Sequence, residues 1–268
     1  MIRRLLVAPY PNDPGSPALQ WAAALADHHD GEVTTLDLCW PQPEQTVISG
    51  DGAWPTGSAQ TDAHRLRPTA SAGSPGVSGR SLSDLRRFHD LLMVDGEALV
   101  HDAVHDAVHA PWALLDSVVP LLIVQRAPPP LASPTVARPL RVMTLIDGQA
   151  ASMGTLHRYL QMRPFGVQEM MDVVHVQSGA SHQDQLSAEL LVRRTGDFIR
   201  AHGCTHVTET RLTTAQPAEA VADHVNRLQA DLVLMSAGSR SNRTEQLLGL
   251  LAHHLLGHTS ASLFLGGS

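Results

Sequence analysis

Lysine is the most informative absence from this sequence of 268 residues, because all 19 basic side chains are arginine. A Schiff-base lysine, a Walker A phosphate-binding lysine and a kinase-type lysine are therefore excluded. Cysteine is scarce too, since Cys39 and Cys204 lie far apart and form no CxxC pair. A disulfide framework, a zinc ribbon and a dithiol redox centre are not expected, and the predicted location is a reducing cytoplasm.

Long apolar runs and excess positive charge are also missing. The apolar run at 5–8 is short and is followed at once by Pro9, so no signal peptide is predicted. No run approaches the ~18 apolar residues of a membrane span. The formal net charge of −7 opposes binding to the phosphates of a nucleic acid. We therefore expect a soluble protein whose partners are neither membranes nor nucleic acids.

An internal repeat organises the chain, because three short apolar runs in the first half recur in the second. The matched runs are 5–10 with 142–147, 90–94 with 231–235, and 120–124 with 261–265. In the first copy a helix is predicted at 17–29, with Ser16 as N-cap, Pro17 as its first residue and Gly31 just past its end. Two copies of one strand-helix-strand unit explain these matches.

A proline-rich stretch separates the two copies. The predicted units are a first domain at 1–127, a linker at 128–139 and a second domain at 140–268. Residues about 41–79 of the first domain are rich in Gly, Ser, Thr and Pro, which predicts a long surface excursion. The second copy has a clearer middle, with helices predicted at 185–202 and 217–229 around a strand at 206–212.

The second copy resembles a universal stress protein domain. The residues that carry the resemblance are the strand end Ile146-Asp147-Gly148, the run 216–221 leading to the strand at 231–235, and the loop and helix at 236–256. The first copy shares the flanking strands but not the middle, so the whole chain resembles a tandem universal stress protein. The resemblance implies an α/β fold of two doubly wound domains, each with a five-stranded, mostly parallel sheet. It also implies a stress-response protein that works by binding and association rather than by turnover. No catalytic residues are predicted, because the sequence has no GxSxG elbow and no catalytic cysteine signature.

Many members of that family bind ATP, and the resemblance implies where the second copy would hold it. The family's aspartate falls on Asp147, and its loop of form Gly-x-x-Gly-x9-Gly-Ser/Thr falls on Ser236, Ser239, Gly249 and Leu250. Glycines let a backbone close on phosphates, and a hydroxyl adds a hydrogen bond, but one glycine of three survives here and the final hydroxyl is lost. A shifted alignment anchored on Gly238 and Ser241 shortens the loop. The residues implied for ATP, with magnesium, are Asp147, Gly148, Ser236, Gly238, Ser239, Arg240, Arg243 and Gly249.

The first copy departs further from the nucleotide pattern. Tyr10 stands at the aspartate position, and the loop positions are Asp95, Ala98, Val108 and His109. Acidic side chains at Glu97, Asp102 and Asp106 stand close by, where phosphates would need neutralisation. No nucleotide is expected in this copy.

Three functions fit these patterns. The first is a stress-response protein with a degenerate nucleotide site, and the second is an ATP-binding, slowly hydrolysing switch run from the second copy. The third is a metal- or pH-responsive module that uses histidines. The histidines concerned are His101, His105 and His109 on one helix face and the cluster His253, His254 and His258. No complete set of metal ligands is predicted.

The remaining expectations concern packing and assembly. The tryptophans Trp21, Trp40, Trp54 and Trp112 are predicted to be core or interface residues. Cys204, which follows a helix end, is expected to be partly exposed. By resemblance, the strand at 260–265 is an edge used for pairing between domains. Internal pairing of the two copies predicts a compact monomer, whereas exposed edges predict a homodimer of tandem chains.

Overall fold

The computed structural model of the chain describes residues 2–8, 15–35, 66–67, 88–97, 119–128, 138–165, 169–177, 182–236 and 249–266. The first half contains β1 (Arg4–Ala8), α1 (Pro17–His29), β2 (Glu32–Thr35), β3 (Leu66–Arg67), β4 (Leu91–Asp95) and β5 (Leu121–Val124). The second half contains β6 (Leu140–Ile146), α2 (Ala150–Met162), β7 (Glu169–Gln177), α3 (His182–Ala201), β8 (His206–Thr213), α4 (Pro217–Leu228), β9 (Leu232–Ser236), α5 (Gly249–His258) and β10 (Ser262–Gly266). Of the helices in these ranges, none is long and apolar enough to cross a membrane.

One continuous sheet of ten strands runs through the protein. Its order is β3-β2-β1-β4-β5-β10-β9-β6-β7-β8, so each half repeats the same order of five strands. Neighbouring strands within each half are parallel. The two halves meet through β5 and β10, which pair antiparallel with Leu263 opposite Ile123. The α/β fold and the predicted use of the last strand in pairing are both confirmed.

Local sequence signals account for the first helix. The Ser16 hydroxyl accepts a hydrogen bond from the Leu19 amide at 3.3 Å, and Pro17 opens the helix as predicted. The left-handed residue at its end is Asp30, with φ of 55°, rather than Gly31. A Cβ on Gly31 would lie 3.2 Å from the Ile2 carbonyl oxygen, so this glycine permits a close approach to the start of β1.

The repeat extends to the aspartates that precede β4 and β9. Asp90 accepts hydrogen bonds from the main-chain amides of Arg3 and Arg4 at 2.7 and 3.0 Å. Asp231 accepts one from the amide of Arg141 at 2.9 Å. Each carboxylate therefore ties the start of β4 or β9 to the start of the strand beside it, although Asp90 is exposed and Asp231 is buried.

Helices cover both faces of the sheet. One apolar cluster joins α1, α2 and α3 to the sheet and contains residues of both halves, among them Trp21 and Phe165 with ring centroids 4.8 Å apart. A second cluster lies under α4 and α5. Trp21 is fully buried, as expected of a core aromatic, whereas Trp40, Trp54 and Trp112 lie outside the described residues.

Two expectations for the first half need comment. The strand β3 lies inside the predicted excursion at 41–79, where the sequence indicated no strand, and the rest of that stretch lies outside the described residues. The boundaries proposed at 1–127, 128–139 and 140–268 stay predictions. In the second half the strand at 206–212 and the helices at 185–202 and 217–229 are found within a few residues of their predicted limits.

Candidate functional site

The sheet offers two crevices of the kind in which doubly wound proteins bind ligands. In such sheets the crevice opens beyond the carboxyl ends of two adjacent strands at which the strand order reverses. Here these pairs are β1 with β4 and β6 with β9. Because β5 and β10 run antiparallel, the strands of the two halves point in opposite directions, and the two crevices open at opposite ends of the strands.

The first crevice is closed by a carboxylate of the protein itself. Asp95 ends β4 and is only 3% exposed. One of its oxygens accepts a hydrogen bond from the Ser16 hydroxyl at 2.6 Å, and the other accepts one from the Ala18 amide at 2.8 Å. This carboxylate occupies the amino end of α1, which is the position that a phosphate would take. That the first copy holds no nucleotide stays a prediction, and the other positions named for it, Tyr10, Ala98, Val108 and His109, lie outside the described residues.

The second crevice has a different residue at the matching place. Ser236 ends β9, is partly exposed and corresponds in the repeat to Asp95. Across the crevice, Asp147 follows β6 and is exposed. Its Oδ1 accepts hydrogen bonds from the Gln149 amide at 2.9 Å and from the Ser152 hydroxyl at 2.6 Å. An exposed carboxylate and a serine therefore lie at the carboxyl ends of β6 and β9, and neither has a positive charge to neutralise a phosphate.

Gly148 supplies the turn between β6 and α2. Its φ of +79° lies in the left-handed region, where a residue with a Cβ is strained. Its neighbour across the turn is the Leu191 side chain, which a Cβ would meet at 3.4 Å. On the next strand, Nδ1 of His175 lies 2.8 Å from the Ile146 carbonyl oxygen and fixes the end of β6. The backbone that carries Asp147 is thus held on both sides.

The structure brings together only part of the implied ATP site. Asp147, Gly148 and Ser236 lie at the carboxyl edge of β6 and β9. Gly249 begins α5, and Leu250 beside it is 69% exposed where the family loop has a hydroxyl. The other implied residues, Gly238, Ser239, Arg240 and Arg243, lie outside the described residues, as does Ser241. Their role in a nucleotide site stays a prediction.

A buried polar network under α4 was not found from the sequence. Asp172 of β7 accepts hydrogen bonds from the hydroxyls of Thr208 at 2.7 Å and Thr210 at 3.0 Å. Nε2 of His224 lies 2.7 Å from the same carboxylate, while Arg227 donates to Nδ1. Since Arg227 can only donate, Nδ1 is the acceptor and Nε2 carries the proton. An acid on an inward-facing strand position and a histidine on the apolar side of α4 were the available signals.

This network is not arranged for chemistry. His224 and Asp172 are each 5% exposed, and both ring nitrogens of the histidine are already hydrogen-bonded. A general base needs a free nitrogen within reach of the proton it removes. The pair therefore binds β7, β8 and α4 together.

A second buried acid begins β7, three residues before Asp172. Glu169 is 5% exposed and its Oε1 accepts a hydrogen bond from the Tyr159 hydroxyl at 2.8 Å. Burial raises the pKa of Glu169 to about 7, against the opposing effects of the Tyr159 hydroxyl and Arg163. Cys204 donates to the main-chain oxygen of Glu169 at 3.4 Å.

The expectation that Cys204 is partly exposed is wrong. The residue is 6% exposed, and burial raises the pKa of its thiol. It follows Gly203, which has a φ of +86° and lies in the turn that ends α3. The thiol consequently packs in the core rather than at the helix end.

The predicted histidine clusters are only partly described. His101, His105 and His109 lie outside the described residues. On α5, the rings of His254 and His258 are stacked with centroids 4.0 Å apart. Within the parts of the chain that the structure describes, no group of three or more His, Cys, Asp or Glu residues could hold a metal ion.

Comparison with known proteins identifies the fold. A universal stress protein from Archaeoglobus fulgidus DSM 4304 is 13% identical, with a TM-score of 0.66 over 98% of this chain and 96% of that one. A candidate universal stress protein from Pseudomonas aeruginosa UCBPP-PA14 is 14% identical, with a TM-score of 0.56 over 98% and 92%. A functionally unknown protein from Pseudomonas aeruginosa PAO1 is also 14% identical, with a TM-score of 0.54 over 98% and 92%. No protein-family model matches the chain, and neither does any curated protein. Over nearly its whole length the chain has the fold of these structures, as the resemblance predicted.

Proposed function

We propose that the chain is a stress-response protein of the universal stress protein family that acts by binding and association rather than by turnover. The likeness in fold over 98% of the chain supports the family. The difference between the two crevices carries the rest of the proposal. In the first crevice the Asp95 carboxylate occupies the amino end of α1. In the second crevice Ser236 stands at the position that corresponds to Asp95, and Asp147 follows the neighbouring strand.

The nucleotide site of the second half is degenerate in this proposal. Serines stand at two positions where the family loop has glycine, so their Cβ atoms take space that phosphates would need. The exposed Leu250 replaces the hydroxyl that would close the loop on the phosphates. The Asp147 carboxylate can still accept hydrogen bonds from hydroxyl or amino groups of a ligand, and it supplies no positive charge.

The test is the nucleotide content and affinity of the purified protein. The protein is denatured, the released small molecules are analysed, and fresh protein is titrated with Mg-ATP by calorimetry. We expect no stoichiometric adenine nucleotide and no saturable heat at high ligand concentration. Nucleotide near one per chain, or a micromolar Kd, would replace this proposal by the ATP-binding switch of the second half.

One observation favours the ATP-binding switch. The position that corresponds to Asp95 of the first half is Ser236 in the second, so no carboxylate stands there. If the protein binds Mg-ATP with a measurable affinity, the double variant Asp147→Ala with Arg240→Ala should abolish that binding and keep the fold. Asp147→Asn is the matched control for the cap on α2, because its amide oxygen can still accept from Gln149 and Ser152. Unchanged affinity in the double variant would show that the nucleotide binds elsewhere.

A further inference from the structure

A cavity of about 380 Å³ lies between the end of α4 and the residues that precede β10, beside Arg126 and Arg138. Its lining residues are Arg126, Arg138, Val225, Asn226, Gln229, Ala230, Ser260 and Ala261. The volume is within the range of small-molecule sites, about 300–1,000 Å³. The lining combines two guanidinium groups with amide and hydroxyl side chains that can donate hydrogen bonds.

The two arginines share a single buried carboxylate. Asp231 is 1% exposed, and its Oδ1 accepts from Nη2 of Arg126 and, at 2.6 Å, from Nη2 of Arg138. Its Oδ2 accepts from Nη1 of Arg138 at 3.1 Å. The side chains of Arg126 and Arg138 are 33% and 48% exposed, so both guanidinium groups can still be reached from the cavity. Two positive charges against one negative charge leave the cavity positive.

The carbonyl groups at the end of α4 do not cancel this charge. Such groups carry the negative end of the helix dipole and attract cations. Here the Leu228 oxygen accepts from a third arginine, Arg141, at 2.7 Å. The Ala230 oxygen accepts from Arg126 at 3.3 Å. The end of the helix is thus already hydrogen-bonded to arginine.

We propose that this cavity binds a small molecule through a phosphate or carboxylate group held by Arg126 and Arg138. Guanidinium groups present paired donors that match both oxyanions, and Asp231 fixes the orientation of the two forks. Asn226, Gln229 and Ser260 provide polar contacts for the rest of the molecule. This site shares no residue with either crevice, so it does not depend on the function proposed above.

The test is calorimetric titration of the whole chain with inorganic phosphate and, separately, with citrate at fixed ionic strength. We expect saturable binding of at least one probe at one site per chain. Binding of phosphate alone identifies a phosphate ligand, and binding of citrate alone identifies a carboxylate ligand. The absence of saturable binding of both probes at millimolar concentration overturns the proposal.

Three variants locate the binding. Arg138→Gln should weaken it about tenfold or more, since one charged donor is lost, while Asp231 keeps its contact with Arg126. Arg194→Gln removes the same charge from an exposed position on α3 and should leave affinity unchanged. Ser260→Trp fills the cavity without altering any charge and should abolish binding even if Arg138→Gln folds poorly. Equal losses in Arg138→Gln and Arg194→Gln, or full binding in Ser260→Trp, contradict the assignment.

Discussion

At the scale of single residues, the buried acid Glu169 should make the stability of this protein depend on pH. Asp172 accepts from three donors, Thr208, Thr210 and His224, whereas the side chain of Glu169 accepts from one, Tyr159. A carboxylate that loses water and gains few donors favours its protonated form. Glu169 is the acid for which burial has this effect, with its pKa raised to about 7.

The first prediction concerns Glu169→Gln. The pKa of Glu169 rises from 4.5 to about 7 on folding, so the folded protein holds a proton that the unfolded chain releases. The stabilisation from this proton is complete below pH 4.5 and is lost as the pH rises to about 7. A neutral glutamine avoids the loss, so at pH 8 the variant should be more stable than the wild type by up to about 3 kcal/mol.

Urea unfolding at pH 4.5 and pH 8 measures this difference. The variant and the wild type should have similar free energies of unfolding at the lower pH. Glu219→Gln is the control, because it makes the same change of charge at an exposed position in the first turn of α4. A difference that is the same at both pH values would argue against a buried, protonated Glu169.

At the scale of elements, the two repeated helices begin in different ways. The hydroxyl of Ser16, the N-cap of α1, accepts from the Leu19 amide and donates to Asp95. The N-cap of α2 is Gln149, whose side chain makes no capping hydrogen bond. There Asp147 caps the turn from the preceding residues instead. In the first half the N-cap of the helix is hydrogen-bonded to Asp95, the residue that ends β4. In the second half the cap comes from Asp147, which follows β6.

The second prediction compares Ser16→Ala with Gln149→Ala. Loss of the Ser16 hydroxyl removes a cap and one donor to the buried Asp95, which should cost about 1–2 kcal/mol of unfolding free energy. Gln149→Ala should change it by less than about 0.5 kcal/mol. Chemical denaturation of both variants measures the two losses, and equal losses would contradict the different capping of the two helices.

At the scale of the whole molecule, the pairing of β5 with β10 joins the halves into one sheet. Leu263 and Ile123 face each other at this joint and are fully buried. The apolar cluster under α1 and α2 also crosses it, and His29 lies 2.8 Å from the Pro164 carbonyl oxygen of the other half. The strand edges that would pair two separate domains are thus already paired within the chain.

The third prediction is a monomer in solution. Among the described strands, the outer two are β3, with two residues, and β8, which carries the charged residues Glu209 and Arg211 at its centre. Short or charged edges disfavour pairing with another chain. Light scattering coupled to size exclusion should therefore give a mass near 28.8 kDa. A mass of twice that value would favour the homodimer of tandem chains.

Much of this organisation follows from the sequence alone. The repeat of apolar runs located β1, β4 and β5 with their partners β6, β9 and β10, because a buried parallel strand requires a nearly continuous apolar run. Ser16 and Pro17 located the start of α1 through the chemistry of helix caps. The short strand β3 was missed, since two residues in a Gly- and Pro-rich stretch carry no periodic pattern.

The resemblance to universal stress proteins also placed Asp147, Gly148 and Ser236 at a nucleotide site and put the acidic Asp95 where a phosphate would need neutralisation. Only the tertiary structure decided what these groups do. Asp95 turns inward to the amino end of α1, Cys204 enters the core, and Arg126 and Arg138, twelve residues apart in the chain, converge on Asp231. The local pattern fixes which residues alternate between core and solvent. Which distant side chains meet depends on strand order and the antiparallel joint, and these are set by packing between halves that lie more than a hundred residues apart.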